Sequence, residues 1–594
     1  MKDFNFKSIL PHLLVVLVFM LLTIVYFNPL LSGKAINQGD VERFKGMSKE
    51  IVDYREKYDT EPLWTNGMFS GMPAYQISVI YPNNWVRPLI KLTAMGIPHP
   101  ASIIFLCMLG FYLLFLTFKV DNLLAAAGAI AFGFSSYFME CIEAGHNPKG
   151  YAIAYMAPVI MGILMAYRGR MWLGSAIAGI ALSLELASNH LQITYYLAML
   201  TGIIILGEFV NAIINKQTGN FFKSSGMLLV AAILAVLPNI TNLLVTEEYG
   251  KYTIRGTSEL SDEKQNKTSG LDRDYATQWS YGVGETFTFL IPNFKGGESQ
   301  AIGDNKKALA DVAPEMREYV GQSTDQYWGD QPFTSGPVYI GALICFLFVL
   351  GMLILKDNLK WYLLAATILA IMLSWGKNFM GFTNFFMDYL PGYNKFRAVS
   401  MTLVIAEFTF PIIAILGVRE VVLNPSILKE KRNSFFIALG ATAGLCLLFY
   451  IMPTTFQDFY KAGEYENVSA QLKKSGAAAE QIQQFMNGME SARISIFKAD
   501  AMRSLLFILL GAGLLYAYAM KSFNKNFLYA GLGLLILIDL WAVDKRYLND
   551  KNYVSKSSME TPYLPSAADE QILKDPDPHY RVMNASSSPF QDAT

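Results

Sequence analysis

Thirteen stretches of this sequence are apolar and carry almost no charge: 9–30, 101–118, 122–139, 150–167, 171–187, 190–212, 224–245, 336–355, 360–376, 398–418, 434–453, 502–520 and 526–543. About 20 mostly apolar residues cross the hydrocarbon core of a bilayer as a helix. Within lipid, only helices and closed barrels satisfy their own backbone groups. The pattern therefore predicts an all-α polytopic membrane protein with about 13 transmembrane helices. The first stretch belongs to a long uncharged run, Ser8 to Gly33, with no small-residue cleavage site after it, so it is expected to be a retained helix and not a signal peptide. Composition agrees. Charged residues make up 16% of the chain, against about 25% in soluble proteins, which argues against a soluble enzyme, a nucleic-acid binder or a disordered scaffold. The 48 basic and 48 acidic residues cancel, so the total suggests no polyanionic partner and no nucleic acid. Cys107, Cys141, Cys345 and Cys446 lie in or beside apolar runs without metal or redox spacing, and are expected to be small buried side chains.

Lys and Arg set the orientation. With the N-terminus in the cytoplasm, and with Lys360 and Arg503 at span ends counted with the adjoining segments, the inside turns are all short and hold a net charge of +10, while the outside segments hold −6. An odd number of spans places the C-terminus outside. The long segments 31–100, 246–335 and 454–501, and everything after 543, then lie on one side of the membrane. The expected organisation is a transmembrane core over 1–453 with outside loops at 31–100 and 246–335. An outside helical insertion follows at 454–501, then the last two spans in 502–543 and an outside C-terminal region over 544–594. A chain that places its soluble residues on one side is expected to work there.

The first outside loop begins at Gly39-Asp40. Val41, Phe44, Met47, Ile51, Tyr54 and Tyr58 then recur at helical spacing and predict an amphipathic helix lying along the membrane surface. Trp64 follows in a Gly- and Pro-rich turn with exposed rings. The second outside loop packs Glu140, Glu143, His146 and Lys149 into ten residues. Carboxylates with an imidazole suit a divalent cation, and Lys suits a phosphate. Asp40, Glu140, Glu143 and His146 are the candidate metal donors, although their spacing matches no strict metal motif; no other cofactor is indicated. Histidine is scarce, five in all, yet His190 falls on the neighbouring outside turn, with Gln192 beside it. The 246–335 loop carries Arg255 and clusters of Trp, Tyr and Glu that suit either a carbohydrate or a small folded loop domain. After the ninth stretch, 379–390 is expected to be re-entrant or interfacial, placing Lys395 and Arg397 at headgroup depth. Glu185, Glu407 and Asp539 lie within spans, and intramembrane acids are functional hypotheses by default.

Taken together, Gly39-Asp40, Trp64 to Pro73, Gly145-His146-Asn147-Pro148-Lys149, His190 to Tyr196, Trp279 to Gly282, Ile291 to Asn293, Pro391 to Arg397 and Asp539 to Tyr547 resemble the YfhO family of bacterial multi-pass membrane proteins. The likeness covers nearly the whole chain. That family is similar in layout to GT-C glycosyltransferases, which take a sugar from a polyprenyl-phosphate carrier on the outer face of the cytoplasmic membrane. The resemblance implies a GT-C-like fold with large extracytoplasmic loops and a hexosyltransferase-class activity on an envelope glycan or protein acceptor. It also implies a longer outside C-terminal domain, of which 544–594 is the start. Asp40 matches the acidic residue that such enzymes carry near span one and becomes the candidate base. His146, Lys149 and Arg397 become candidates for the lipid phosphate. Glu140, Glu143, His190, Gln192, Trp64 and Arg255 become candidates to line the pocket. Glu140 and Glu143 stand three apart, which departs from the tight acidic pair of many GT-C enzymes and weakens the case for a metal. The rival readings are a transporter or lipid flippase, and a non-catalytic envelope-assembly factor. Membrane lipids are the surroundings in every case.

Overall fold

All thirteen apolar stretches fall on helices in the computed structural model, which describes residues 6–69, 71–256, 268–521, 523–577 and 582–585. The protein is an all-α, multi-pass membrane protein. Among the described residues, eight helices are long and apolar enough to cross a membrane, or up to ten if each of two bent pairs counts as one span. The three remaining stretches form shorter apolar helices, Ser102–Thr117, Met171–Ala187 and Ala342–Ile354. The expected count of thirteen spans is therefore not confirmed, because short and bent helices satisfy apolarity without satisfying length.

The bundle is layered. In Asn147–Tyr167 and Val399–Leu423, 78% and 94% of the most apolar window is buried within the protein; in Lys7–Tyr26 the figure is 17%. The first two form the centre and the third faces lipid. Small residues permit the closest approach. A Cβ on Gly162 would lie 2.4 Å from the Ala178 nitrogen, and one on Gly174 would lie 2.4 Å from the Ala166 nitrogen. Asn147–Tyr167 and Met171–Ala187 thus touch backbone to backbone, a contact that glycine allows in membranes.

The long connections meet at one end of the bundle. Lys34–Ile36 pairs antiparallel with Tyr553–Ser555. Lys461 and Asp325 join the insertion to the second long loop at 2.8 Å. A second hydrophobic core forms between them, with Ile302, Leu309, Val312 and Val320 packed on Phe485, Met486, Met489 and Ile496. The Ala479–Lys521 helix runs unbroken through 501 and 502, so the insertion and the following span share one helix and no boundary falls there. The Gly39–Tyr58 helix forms where the apolar stripe predicts it. Ile51 is buried, while Phe44, Tyr54 and Tyr58 are exposed. The Leu359–Ser374 and Gly376–Tyr389 pair bends by 108°, the shape expected of a re-entrant or interfacial segment. Three of the acids inside the apolar stretches have partners. Asp539 is 2.6 Å from Arg503, Glu185 accepts from Thr194, and Glu407 accepts from Ser135.

Candidate functional site

Asp40 sits in the first turn of the Gly39–Tyr58 helix, where the backbone N–H groups and the helix dipole favour a carboxylate. Its Oδ2 lies 3.0 Å from His146 Nε2. His146 Nδ1 is 2.9 Å from Lys149 Nζ. An ammonium only donates, so Nδ1 accepts, and the ring proton sits on Nε2 and is donated to Asp40. The three side chains form a directed chain from Lys149 through His146 to Asp40. The hydrogen bond from His146 holds the Asp40 carboxyl below its ordinary range. The Lys149 charge, with burial, holds the His146 imidazole below its own. Asp40 is therefore ionised and His146 neutral at pH 7. Lys149 is buried, with its ammonium 4.9 Å from the centre of the Tyr137 ring. The Asp40 side chain remains 46% exposed, and its second oxygen is no nearer than 3.8 Å to Arg43, which leaves an acceptor facing outward.

The docking of these elements rests on Gly145. Its φ is +91°, a region that side chains disfavour, and a Cβ there would meet the Cβ atoms of Gln38 and Asp40 at 3.2 and 3.3 Å. Gln38 and Asn147 exchange amide hydrogen bonds at 3.2 Å, and Gln38 also donates to the Ile142 carbonyl. Gln38, which carries no motif, thus clamps the start of the Gly39–Tyr58 helix onto the 145–147 turn.

Arg397 is exposed. Its guanidinium donates to the Tyr275 hydroxyl at 2.6 Å and lies over the rings of Tyr275 and Trp279. Its charge is the smallest of the influences that lower His146. Gln192 donates to the Arg397 carbonyl at 2.7 Å and to Tyr196 at 2.8 Å, which positions the 397 backbone. Arg255 donates to the Lys395 carbonyl, and Lys395 donates back to the Arg255 carbonyl at 2.8 Å; it braces the Arg397 turn from the second long loop. His190 caps the Leu191–Ile214 helix, accepting from the Ile193 N–H. Burial first, and then the Lys149 charge, pushes its pKa down to about 3.

The structure does not gather the proposed metal donors. Among the described residues, no group of three or more His, Cys, Asp or Glu side chains is placed to hold a metal ion. Glu140 is buried against Gly336. Glu143 faces Glu298, whose pKa rises to about 7 through burial and the Glu143 charge. The neighbours of both acids thus come from the second long loop and its end. Both His146 nitrogens are already engaged, one by an ammonium that would repel a dication. Asp40, Glu140, Glu143 and His146 therefore do not fit a shared metal. Trp64 is also set apart. It pairs with Pro73 in a short hairpin, and its indole packs on Gly71, while Glu50 accepts from the Asn66 and Gly67 N–H groups.

The chain matches no family profile and no curated protein. Among solved structures it is similar to the arabinofuranosyltransferase AftD from Mycobacteria, at 12% identity and a TM-score of 0.38, over 73% of this chain and 27% of that one. It spans little more than a quarter of that protein's length, and a likeness at this score carries no weight for fold or function.

Proposed function

We propose that the protein is a YfhO-like, GT-C-type membrane glycosyltransferase of hexosyltransferase class. It moves a sugar from a polyprenyl-phosphate donor to a cell-envelope acceptor on the outer face of the bacterial cytoplasmic membrane, with its N-terminus in the cytoplasm and its C-terminus outside. The observation that carries this reading is the Lys149–His146–Asp40 chain, at 2.9 and 3.0 Å. The acceptor hydroxyl gives its proton to the outward oxygen of Asp40 as its oxygen bonds to the anomeric carbon. The bond from that carbon to the lipid phosphate breaks, and the departing phosphate keeps the electron pair. Its charge is met by Lys149 and by the fork of Arg397, whose orientation the Tyr275 hydroxyl and two rings hold. A carboxylate with a lowered pKa is a weak base, which suits glycosyl transfer through an oxocarbenium-like transition state, in which the proton leaves late.

The reading is tested with purified protein in proteoliposomes and a panel of polyprenyl-phosphate sugars. Arg397→Ala is expected to raise KM and lower kcat together, because it removes a phosphate contact made before and during reaction. Arg397→Lys is expected to recover little, since an ammonium lacks the planar fork. Turnover of no donor by the wild type would favour the assembly-factor or flippase reading.

A further inference from the structure

At the end of the bundle opposite the long connections, three short turns and the end of one helix close around a cavity of about 640 Å³. Its wall holds five cations, Lys119, Arg168, Arg170, Lys356 and Arg419, against two acids, Asp357 and Glu420. Each cation stands just beyond the end of an apolar helix: Ser102–Thr117, Asn147–Tyr167, Ala342–Ile354 or, for Arg419, within the last turns of Val399–Leu423. The floor is apolar, formed by Leu116, Leu164, Leu355 and Leu416. Two of the cations have structural work. Arg168 pairs with Glu208 at 3.2 Å, and Arg419 donates to the Lys119 carbonyl at 3.3 Å. That carbonyl belongs to a residue held at φ +56°. Among the described residues, the side chains of Lys119, Arg170 and Lys356 have neither a hydrogen-bond nor an ion-pair partner.

We propose that this cavity binds the phosphate of an anionic lipid, with its acyl chains leaving along the apolar helix faces. Like charges that converge from separate turns repel one another unless an anion lies between them. Scattered basic residues would satisfy an orientation bias equally well without sharing a cavity. A lipid phosphate supplies oxyanion acceptors to ammonium and guanidinium donors at interfacial depth. The apolar floor distinguishes a lipid from a free phosphate, which has nothing to place there. This site is independent of the Asp40 chemistry and stands if the transferase reading falls.

The test is native mass spectrometry of the full chain, released from nanodiscs that mix phosphatidylglycerol with phosphatidylcholine. Wild type is expected to retain phosphatidylglycerol preferentially. The triple variant Lys119→Ala, Arg170→Ala and Lys356→Ala is expected to lower that preference roughly tenfold to a hundredfold. It removes only unpaired side chains, so folding is expected to persist, and thermal unfolding in detergent checks this. A charge-matched triple at the same end, Lys429→Ala, Arg432→Ala and Lys521→Ala, is expected to leave the preference unchanged. Equal loss in both triples would overturn the site, since general surface charge would then suffice. Equal retention of phosphatidylcholine would do the same. Thermal stabilisation by inorganic phosphate matching that by phosphatidylglycerol would overturn the lipid assignment in favour of a soluble anion.

Discussion

Two regions of the molecule place a carboxylate against a cation, and they do so differently. Asp500 lies inside the protein and is joined to the part-buried Arg546 at 2.7 and 2.8 Å by two parallel hydrogen bonds, with the Asn293 N–H closing on the same carboxylate at 3.1 Å. Asp539 is sealed likewise by Arg503 and by the Tyr339 hydroxyl. Every oxygen of these two carboxylates is used, and the Asp500 and Asp539 side chains are 5% and 1% exposed. Asp40 is instead half-exposed, receives its positive influence through an imidazole, and keeps one oxygen open. Fully satisfied buried pairs hold helices in register. A carboxylate with one fixed and one open oxygen can accept a proton from something that arrives.

The comparison breaks most sharply at Arg546. Arg546→Ala leaves Asp500 buried without its cation, at a cost of about 3–5 kcal/mol. The variant is expected to unfold well below wild type in detergent, whereas Asp40→Ala, at a half-exposed position, shifts stability by no more than about 0.5 kcal/mol. The opposite ranking by thermal unfolding would undo the distinction. A smaller effect is expected at Gly145. Gly145→Ala places a side chain at φ +91°, costing about 1–2 kcal/mol, and presses on Asp40 and Gln38. Sugar transfer should fall roughly tenfold with modest loss of stability. A full-rate variant would mean that the docking of Asp40 on His146 is unimportant. The third effect is in pH. His190 stays neutral in the folded protein down to about pH 3, while the unfolded chain takes up a proton below about 6.5. Stability from this group is present above pH 6.5 and falls as pH is lowered through that value, by up to about 1.4 kcal/mol per pH unit. His190→Asn keeps a capping side chain and should flatten the decline in unfolding temperature between pH 6.5 and 5. An unchanged slope would place the acid sensitivity elsewhere.

Much of the fold was legible because apolarity is a local signal. The thirteen stretches and the amphipathic Gly39–Tyr58 helix follow from runs and spacing. Span length is less legible, since the bend at Gly376 depends on Ser280 and Val399 crowding it from distant segments. His146 and Lys149 stood out because histidine is scarce and the turn is longer than closure requires. The pairing of His146 with Asp40 joins residues far apart in sequence, and only the family resemblance gave Asp40 the role of base. Gln38 gave no signal, because an amide in a loop has no periodicity. Arg493, wholly buried and doubly bonded to Glu464, was hidden in a polar helical pattern in which charges usually face water. Glu140 and Glu143 misled for the converse reason. Two acids one helical turn apart look like ligands, but the loop that covers them contributes Glu298 and Gly336 and no imidazole.

The central claim is that the open oxygen of Asp40 takes the acceptor's proton. The direct measurement is the rate of sugar transfer from a polyprenyl-phosphate donor by wild-type and Asp40→Asn protein in matched proteoliposomes, with thermal unfolding measured on the same preparations. Asp40→Asn keeps the shape and removes the base, so turnover should fall by about 10²–10⁴ while the unfolding temperature holds. Transfer by Asp40→Asn at the wild-type rate would contradict the account.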